Sequence, residues 1–474
     1  MKRSTLVRFR RAGALCLLAA ASCAPHPRLA VAPEIVSTEW KAGQAAEDAA
    51  RPVTERGLAE ALGSAELQRL AGRALAANAD IAIAAARLER ARADLRIARS
   101  AMLPVVSAGA GLSATRSEDK TASLFSFSEG FASADISFDL DLFGQGKARK
   151  RAERARYRAA SFDRDAAALV VEAELARAFV QYAALGERIA LLNRMIENGR
   201  ELERILAVRL REGAATRVDT GLQAIDVRGL EADMLRLAEA RTRTGNAIAV
   251  LVGEEAPLFN MPEARLDSVA IPTLAPVQPG ELLVRRPDIQ AAEARIVAAA
   301  GDVSQARRAF LPSITLSARA LGQAATLSGP IGTTLAAGAS LLAPIFDRAR
   351  LNGRLDSAAA AQHESVELYR KALLTALAEA ENALASVDKS RQRQLLIGQT
   401  VEEARTTARL ARLQYLEGEA DLRDVLDAER LLVQAEDASA LSRQERLNAV
   451  IDLYEAMGGN AQTSAVASRA PSPR

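Results

Sequence analysis

Catalysis needs groups that move protons, attack a substrate or hold a metal, and this chain is poor in them. Its two histidines, His26 and His363, stand in different settings: one in a proline-containing leader, the other in a long polar run. No HExxH, GxSxG or glycine-rich phosphate loop occurs. Carboxylates are plentiful, but they follow helix-surface spacing. An enzyme is not expected, nor is a cofactor, a metal or a bound nucleotide. The cysteines offer a different chemistry. Lys2, Arg3, Arg8, Arg10 and Arg11 precede an apolar stretch from Ala12 to Ala21. Residues 1–22 therefore read as a secretory signal peptide, too short to remain as a membrane span. Ala20-Ala21-Ser22-Cys23 is similar to a bacterial lipobox, with Ala20 where leucine is usual. Cys16 leaves with the signal, so Cys23 becomes the one cysteine of the mature chain and no intrachain disulfide can form. That suits an acylated, palmitate-bearing cysteine; an ordinary cut nearby with Cys23 incidental is the alternative. Ala24 follows, not aspartate, which fits sorting to the outer membrane.

The signal also carries much of the charge. The sequence has 62 basic and 59 acidic residues, and loss of five basic ones leaves 57 against 59. The mature chain thus gives no support to nucleic-acid binding. Residues 23–60 read as an extended, acylated lead-in, with Trp40 packing it on the body.

The elements behind these residues come in two copies. NADIAIAAARLERARADLRIARSAMLP (78–104) and RPDIQAAEARIVAAAGDVSQARRAFLP (286–312) align without a gap at a spacing of 208 residues. Asp80 matches Asp288, Arg87 matches Arg295, and Leu103-Pro104 matches Leu311-Pro312. Asp141-Leu142-Phe143-Gly144 sits where Pro344-Ile345-Phe346-Asp347 sits in the second copy. Such duplication bounds the fold before any element is assigned. Each copy reads as a helix, two alternating segments and a very long helical region. From about Gln145 to Arg211 there is no proline, a run of roughly 100 Å if helical. Gly213 and Gly418 break the long regions, and Val218 to Gly253 and Leu422 to Met457 return, so each makes a long helical hairpin or coiled coil. No mature stretch is long and apolar enough for a transmembrane helix. Pro287 suits a first helical turn, where a missing N–H costs nothing, and Asp288 sits near the positive helix end; Arg286-Pro287-Asp288 reads as a structural start.

Between the helices the period changes from helical to two. In FASADISFDLDL (131–142), Ala132, Ala134, Ile136, Phe138, Leu140 and Leu142 share one face and Ser133, Asp135, Ser137, Asp139 and Asp141 the other. Strands are expected at about 105–116, 130–142, 313–322 and 333–345, joined by loops near 117–130 and 323–332. The lengths suit tilted membrane strands. Four strands close no useful pore and open edges do not survive in hydrocarbon, so a membrane barrel would need several chains. Two small hairpins capping a soluble helical bundle, or a periplasmic coiled-coil protein, remain the alternatives on pattern alone.

Leu283-Val284-Arg285-Arg286-Pro287-Asp288-Ile289, Asp139 to Gly144, Pro344 to Asp347, Gly418 through Val425-Leu426-Asp427-Ala428, and Leu453-Tyr454-Glu455-Ala456-Met457-Gly458-Gly459 together resemble the outer membrane efflux proteins. These are the TolC-like outer membrane factors, and the likeness points to the lipoprotein branch called NodT. It covers nearly all of residues 55–459. It implies a mixed membrane β-barrel and α-barrel: a homotrimer in which four strands per chain form one 12-stranded barrel and long helical hairpins cross the periplasm. With the duplication it divides the chain into a first repeat (61–254), an equatorial linker (255–282) and a second repeat (283–459); the remaining 460–474 is low in structure signals and reads as a disordered tail. The implied function is the outer membrane channel of a tripartite efflux system, a passive exit duct for small molecules or drugs. Its partners would be a periplasmic adaptor (membrane fusion) protein, an inner-membrane resistance-nodulation-division pump and outer membrane lipids. A type I protein-secretion duct shares the architecture. Carried over by motif, Asp424 and Asp427 match aspartates that ring the periplasmic aperture, and Tyr415 matches a tyrosine at the same turn. Some members have arginine at the position of Ala420; Arg423 or Arg217 would have to replace it here.

Overall fold

The structure is a computed structural model that describes residues 39–41, 51–52, 57–119, 122–272, 274–324 and 330–459. The signal peptide, Cys23 and the tail from 460 lie outside the described residues. The duplication is visible in the element order. The first copy has helix α1 (Ala65–Ala77), helix α2 (Ala79–Ser100), strands β1 (Val105–Asp119) and β2 (Ala122–Asp139), and helices α3 (Gln145–Arg211) and α4 (Arg217–Val252). The second has helix α5 (Pro287–Arg308), strands β3 (Ser313–Ala324) and β4 (Ile331–Leu342), and helices α6 (Arg348–Glu417) and α7 (Leu422–Ala456). None of the described helices is long and apolar enough to cross a membrane.

Two compact units divide the chain. The first is built on Arg87–Ser161 and Ala291–Arg370, and the second on the described parts of Glu34–Ala86, Phe162–Gln290 and Lys371–Arg474. The first unit holds one antiparallel sheet in the order β1-β2-β3-β4. β2 pairs with β3, Asp139 opposite Thr315 and Ala134 opposite Ala320, so the sheet joins the two copies. The outer edges of β1 and β4 have no partner strand among the described residues. Register puts Ser107, Asp135, Arg319 and Ala336 in one cross-strand row. That face is polar: Arg319 Nε meets Asp135 Oδ1 at 3.2 Å, Ser133 Oγ donates to Asp135 (3.0 Å) and Thr315 Oγ1 donates to Asp139 (2.6 Å). The opposite face carries Val106, Leu112, Ile136, Leu335 and Leu341, all exposed.

The strands differ from the expected ranges. β1 and β2 extend through much of the expected 117–130 loop. β2 stops at Asp139, so Leu140 and Leu142 are not on its apolar face; Asp141 instead accepts from the backbone N–H groups of Gly146 and Lys147 (2.9 and 2.8 Å) and caps α3. β4 stops at Leu342, two residues before Pro344, which has no N–H for a ladder. Ala343 and Ile345 therefore leave the strand. Pro104 and Pro312 each stand between a helix end and the strand that follows, at Val105 and Ser313.

The second unit has its apolar core where α1, the middle of α3 and the ends of α4 and α7 meet, around Leu62, Leu67, Phe179, Ile248, Leu447 and Tyr454. Trp40 is pinned to this unit, its indole N–H donating to Val277 O at 2.7 Å. α3 is tied to α7 by Arg177 with Asp452 and Glu455 and by Arg188 with Asp437.

Candidate functional site

Pro104 and Pro312 lie in the first unit and Cys23 outside the described residues; the other residues singled out from the sequence fall in two places within the second unit. The first is the pair of hairpin turns. Gly213 lies between α3 and α4, and Gly418 between α6 and α7. Leu202, Leu206, Leu422 and Leu426 pack together there, with Ala215, Leu222 and Tyr415 against them, so the two turns share a small core. Tyr415 is half-buried, and the Arg209 guanidinium lies 4.8 Å from its ring centre. That contact holds the end of α3 to the end of α6 by a cation–π attraction.

Both return helices start with a carboxylate three residues into the helix. Thr216 caps α4: Asp219 N–H donates to Thr216 Oγ1 (3.2 Å), and Asp219 accepts from Thr216 N–H (2.8 Å). These hydrogen bonds hold the Asp219 carboxyl below the usual aspartate range. At α7 the corresponding carboxylate is Asp424, which accepts from Asp421 N–H at 3.1 Å. Asp427 stands one turn on, 74% exposed, with Arg430 at 3.8 Å. Arg430 also reaches Asp226 of α4 at 3.3 Å. Glu429 is half-buried beside them; desolvation raises its carboxyl, opposed by the attraction of Arg412 and reinforced by Asp226. The structure therefore brings Asp424, Asp427 and Tyr415 to one turn. It also adds residues that the sequence did not single out: Arg209, Asp226, Glu429 and Arg430. Arg423, considered as a replacement for the arginine absent at Ala420, acts on Asp219 electrostatically.

The second place is the start of α5. Pro287 is its first residue. Arg286, only 11% exposed, holds Asp288 through two hydrogen bonds (3.0 and 2.8 Å), pairs with Glu379 of α6 at 2.7 Å and donates to Ala456 O at the end of α7 (3.1 Å). Burial lowers the guanidinium's tendency to stay charged, and Asp288 and Glu379 more than offset it. The gap-free repeat places Asn78 opposite Arg286. Asn78 is buried, accepts from Asp80 and Ile81 N–H (2.8 and 3.2 Å) and donates to Leu251 O near the end of α4 (2.9 Å). The motif is thus a knot joining the start of one helix to the end of another, made twice with different chemistry. Glu379 and Leu251 lie far from it in sequence, so only the Asn78–Arg286 match was readable beforehand.

The sequence profile of the family described as "Outer membrane efflux protein" matches residues 70–254 and 279–459. The chain is also 34% identical over 421 residues to the pyoverdine export outer membrane protein OpmQ of Pseudomonas aeruginosa, covering 85% of this chain and 87% of OpmQ. The chain belongs to the outer membrane efflux protein family. Solved structures agree: the outer-membrane channel OprN shares 27% identity with a TM-score of 0.83, over 92% of this chain and 99% of OprN. The open state of the Neisseria gonorrhoeae MtrE outer membrane channel shares 25% identity with a TM-score of 0.82, over 93% and 99%.

As an outer membrane efflux protein, the chain is a transport component and not an enzyme. It forms a homotrimeric channel in the outer membrane that extends into the periplasm and works with a periplasmic adaptor and an inner-membrane resistance-nodulation-division pump. Trimerisation answers the problem posed by the sheet. Four strands with unpartnered edges become one closed barrel when three copies pair edge to edge. The polar face carrying Asp135 and Arg319 then suits the water-filled interior, and the face carrying Val106, Leu112 and Leu335 suits lipid.

Proposed function

We propose that the turn between α6 and α7 forms the periplasmic aperture of the efflux channel, with Asp424 and Asp427 of three chains as its carboxylate ring and Tyr415 as its brace. The observation that carries this reading is the placement of both exposed carboxylates in the first turns of α7, directly after Gly418. Six carboxylates around one axis raise the local cation concentration and favour cation passage. The duct itself is passive, and the pump supplies energy. Relatives carry names for export of pyoverdine and toluene and for antibiotic efflux, which supports a small organic cargo here. The segment 255–282 serves as the equatorial linker in this reading. Cys23 is the acylation site that anchors the mature chain, as in the NodT-type lipoproteins; mass spectrometry of the N-terminal peptide would read a diacylglyceryl-bearing cysteine or its absence.

Planar-bilayer recording tests the aperture. The wild-type trimer gives a cation-preferring pore of low conductance, and Asp424→Ala with Asp427→Ala weakens that preference. A pore whose selectivity is untouched by both substitutions removes the aspartates from the aperture while leaving the channel in place.

A further inference from the structure

We propose that the first turns of α3, just below the sheet, form a docking site for anionic phospholipid headgroups of the periplasmic leaflet. The proposal rests on the outer membrane location of the channel. Residues 145–158 contain seven Lys or Arg and a single acid, Glu153, in a chain whose charges otherwise nearly balance. Five of them share one side, while Arg149 is exposed on another. Ala148, Ala152, Ala155 and Ala159 form the buried stripe of α3. Lys147, Lys150, Arg151, Arg154 and Arg158 occupy exposed positions at helical spacings of three and four. None of these five has a carboxylate partner within salt-bridge distance among the described residues, and Glu153 is taken by Arg156, which also binds Asp302.

Such a row works against the fold. Like charges one turn apart repel, and cations near a helix N-terminus oppose its dipole. Asp141, the carboxylate at this helix start, caps Gly146 and Lys147 N–H and forms no salt bridge with the row among the described residues, so a single carboxylate faces five cations. The start of α6 differs: Asp347 precedes it, pairs with Arg350 and acts electrostatically on Arg354, so the unpaired row belongs to α3. An external anion relieves both penalties. The neighbourhood identifies which anion. Leu142 (65% exposed), Ile345 (73%) and Phe346 (100%) lie in the short connections between the strand ends and these helix starts, outside the strands themselves. The row from Lys147 to Arg154 spans roughly 10 Å at 1.5 Å per residue, comparable with the headgroup layer beside the hydrocarbon. An apolar belt directly bordered by unpaired cations matches a phospholipid with an anionic headgroup, through its chains and its phosphate.

The test uses the full trimer in neutral detergent, titrated with short-chain phosphatidylglycerol or phosphatidylcholine and followed by thermal unfolding and native mass spectrometry. Phosphatidylglycerol should bind and raise the transition, phosphatidylcholine should do so far less, and the difference should fade as salt is added. Lys147→Gln, Lys150→Gln and Arg151→Gln together should weaken phosphatidylglycerol at least about tenfold, whereas Lys147→Arg with Lys150→Arg should keep it. Equal responses to the two lipids overturn the proposal. So does an unchanged phosphatidylglycerol response in the triple variant, or altered channel selectivity without altered lipid binding, which would put the cations on the lumen. If the triple variant does not assemble, the wild-type lipid and salt comparison decides. Failure of the membrane location itself would read differently, as no channel in any bilayer.

Discussion

Asn78 and Arg286 do the same work in the two copies of the repeat. Each holds the beginning of a helix to the end of the returning helix, Asn78 through Leu251 O and Arg286 through Ala456 O. The backbone around them is equally matched. Gly253 and Gly458 both have positive φ (79° and 85°), and both press on the residue just before the knot. A Cβ on Gly253 would lie 2.4 Å from Ala77 O; one on Gly458 would lie 3.0 Å from the Arg285 carbonyl. The difference is electrostatic. A buried amide is satisfied by backbone groups alone, while a buried guanidinium must recruit the carboxylates of Asp288 and then Glu379 from α6. Duplication thus preserved the backbone geometry and left the chemistry of the knot free to diverge. The charged version connects three helices where the neutral one connects two.

This contrast can be broken experimentally, with the trimer's heat or urea unfolding as the measure. Arg286→Ala should cost the most, about 3–5 kcal/mol, because it strands Glu379 and Asp288 without their cation and frees Ala456 O. Next comes Gly253→Ala, at about 2–3 kcal/mol, from left-handed backbone strain added to a backbone clash. Gly458→Ala should cost less, since its added Cβ is less crowded; the reverse order would mean that the two glycines are not equivalent. Asn78→Ala should cost about 1–2 kcal/mol, the loss of a helix cap and one buried hydrogen bond. If it matched Arg286→Ala, the claim that charge sets the larger effect would fail. The smallest effect belongs to the hairpin turns: Asp219→Ala should cost about 1 kcal/mol. Because Asp219 is held below its ordinary pKa by Thr216, its contribution is complete above the unfolded aspartate value and disappears as pH falls through the lowered one. Acid titration of wild type and Asp219→Ala should therefore converge at low pH.

Much of this was legible in the residues. The gap-free match of 78–104 with 286–312 located α2 and α5 and the prolines that end them. Period-two alternation located all four strands, because each has one apolar and one polar face. The strand ends were not legible. Asp141 alternates correctly as a strand residue, yet its carboxylate is used by the N–H groups of Gly146 and Lys147, a choice made by the helix that follows. Contacts between distant segments were hidden for the same reason that Glu379 was: on a 70-residue helix with many exposed acids, spacing does not say which acid meets a buried arginine. At the turns, sequence pointed to Asp424 and Asp427, while the Asp226–Arg430 pair appears only when α4 and α7 are side by side, and the Arg209–Tyr415 stack only when the ends of α3 and α6 meet.

The unpartnered outer edges of β1 and β4 reach into genetics. A channel completed by edge pairing is a joint product, so a copy with a spoiled edge damages the sound copies that assemble with it. In a cell making equal amounts of intact and edge-defective chains that mix at random, only about one trimer in eight is wholly intact. A proline placed in β1 or β4 should thus behave as a dominant trait, sensitising cells that still carry the normal gene, whereas a chain that never folds should be recessive.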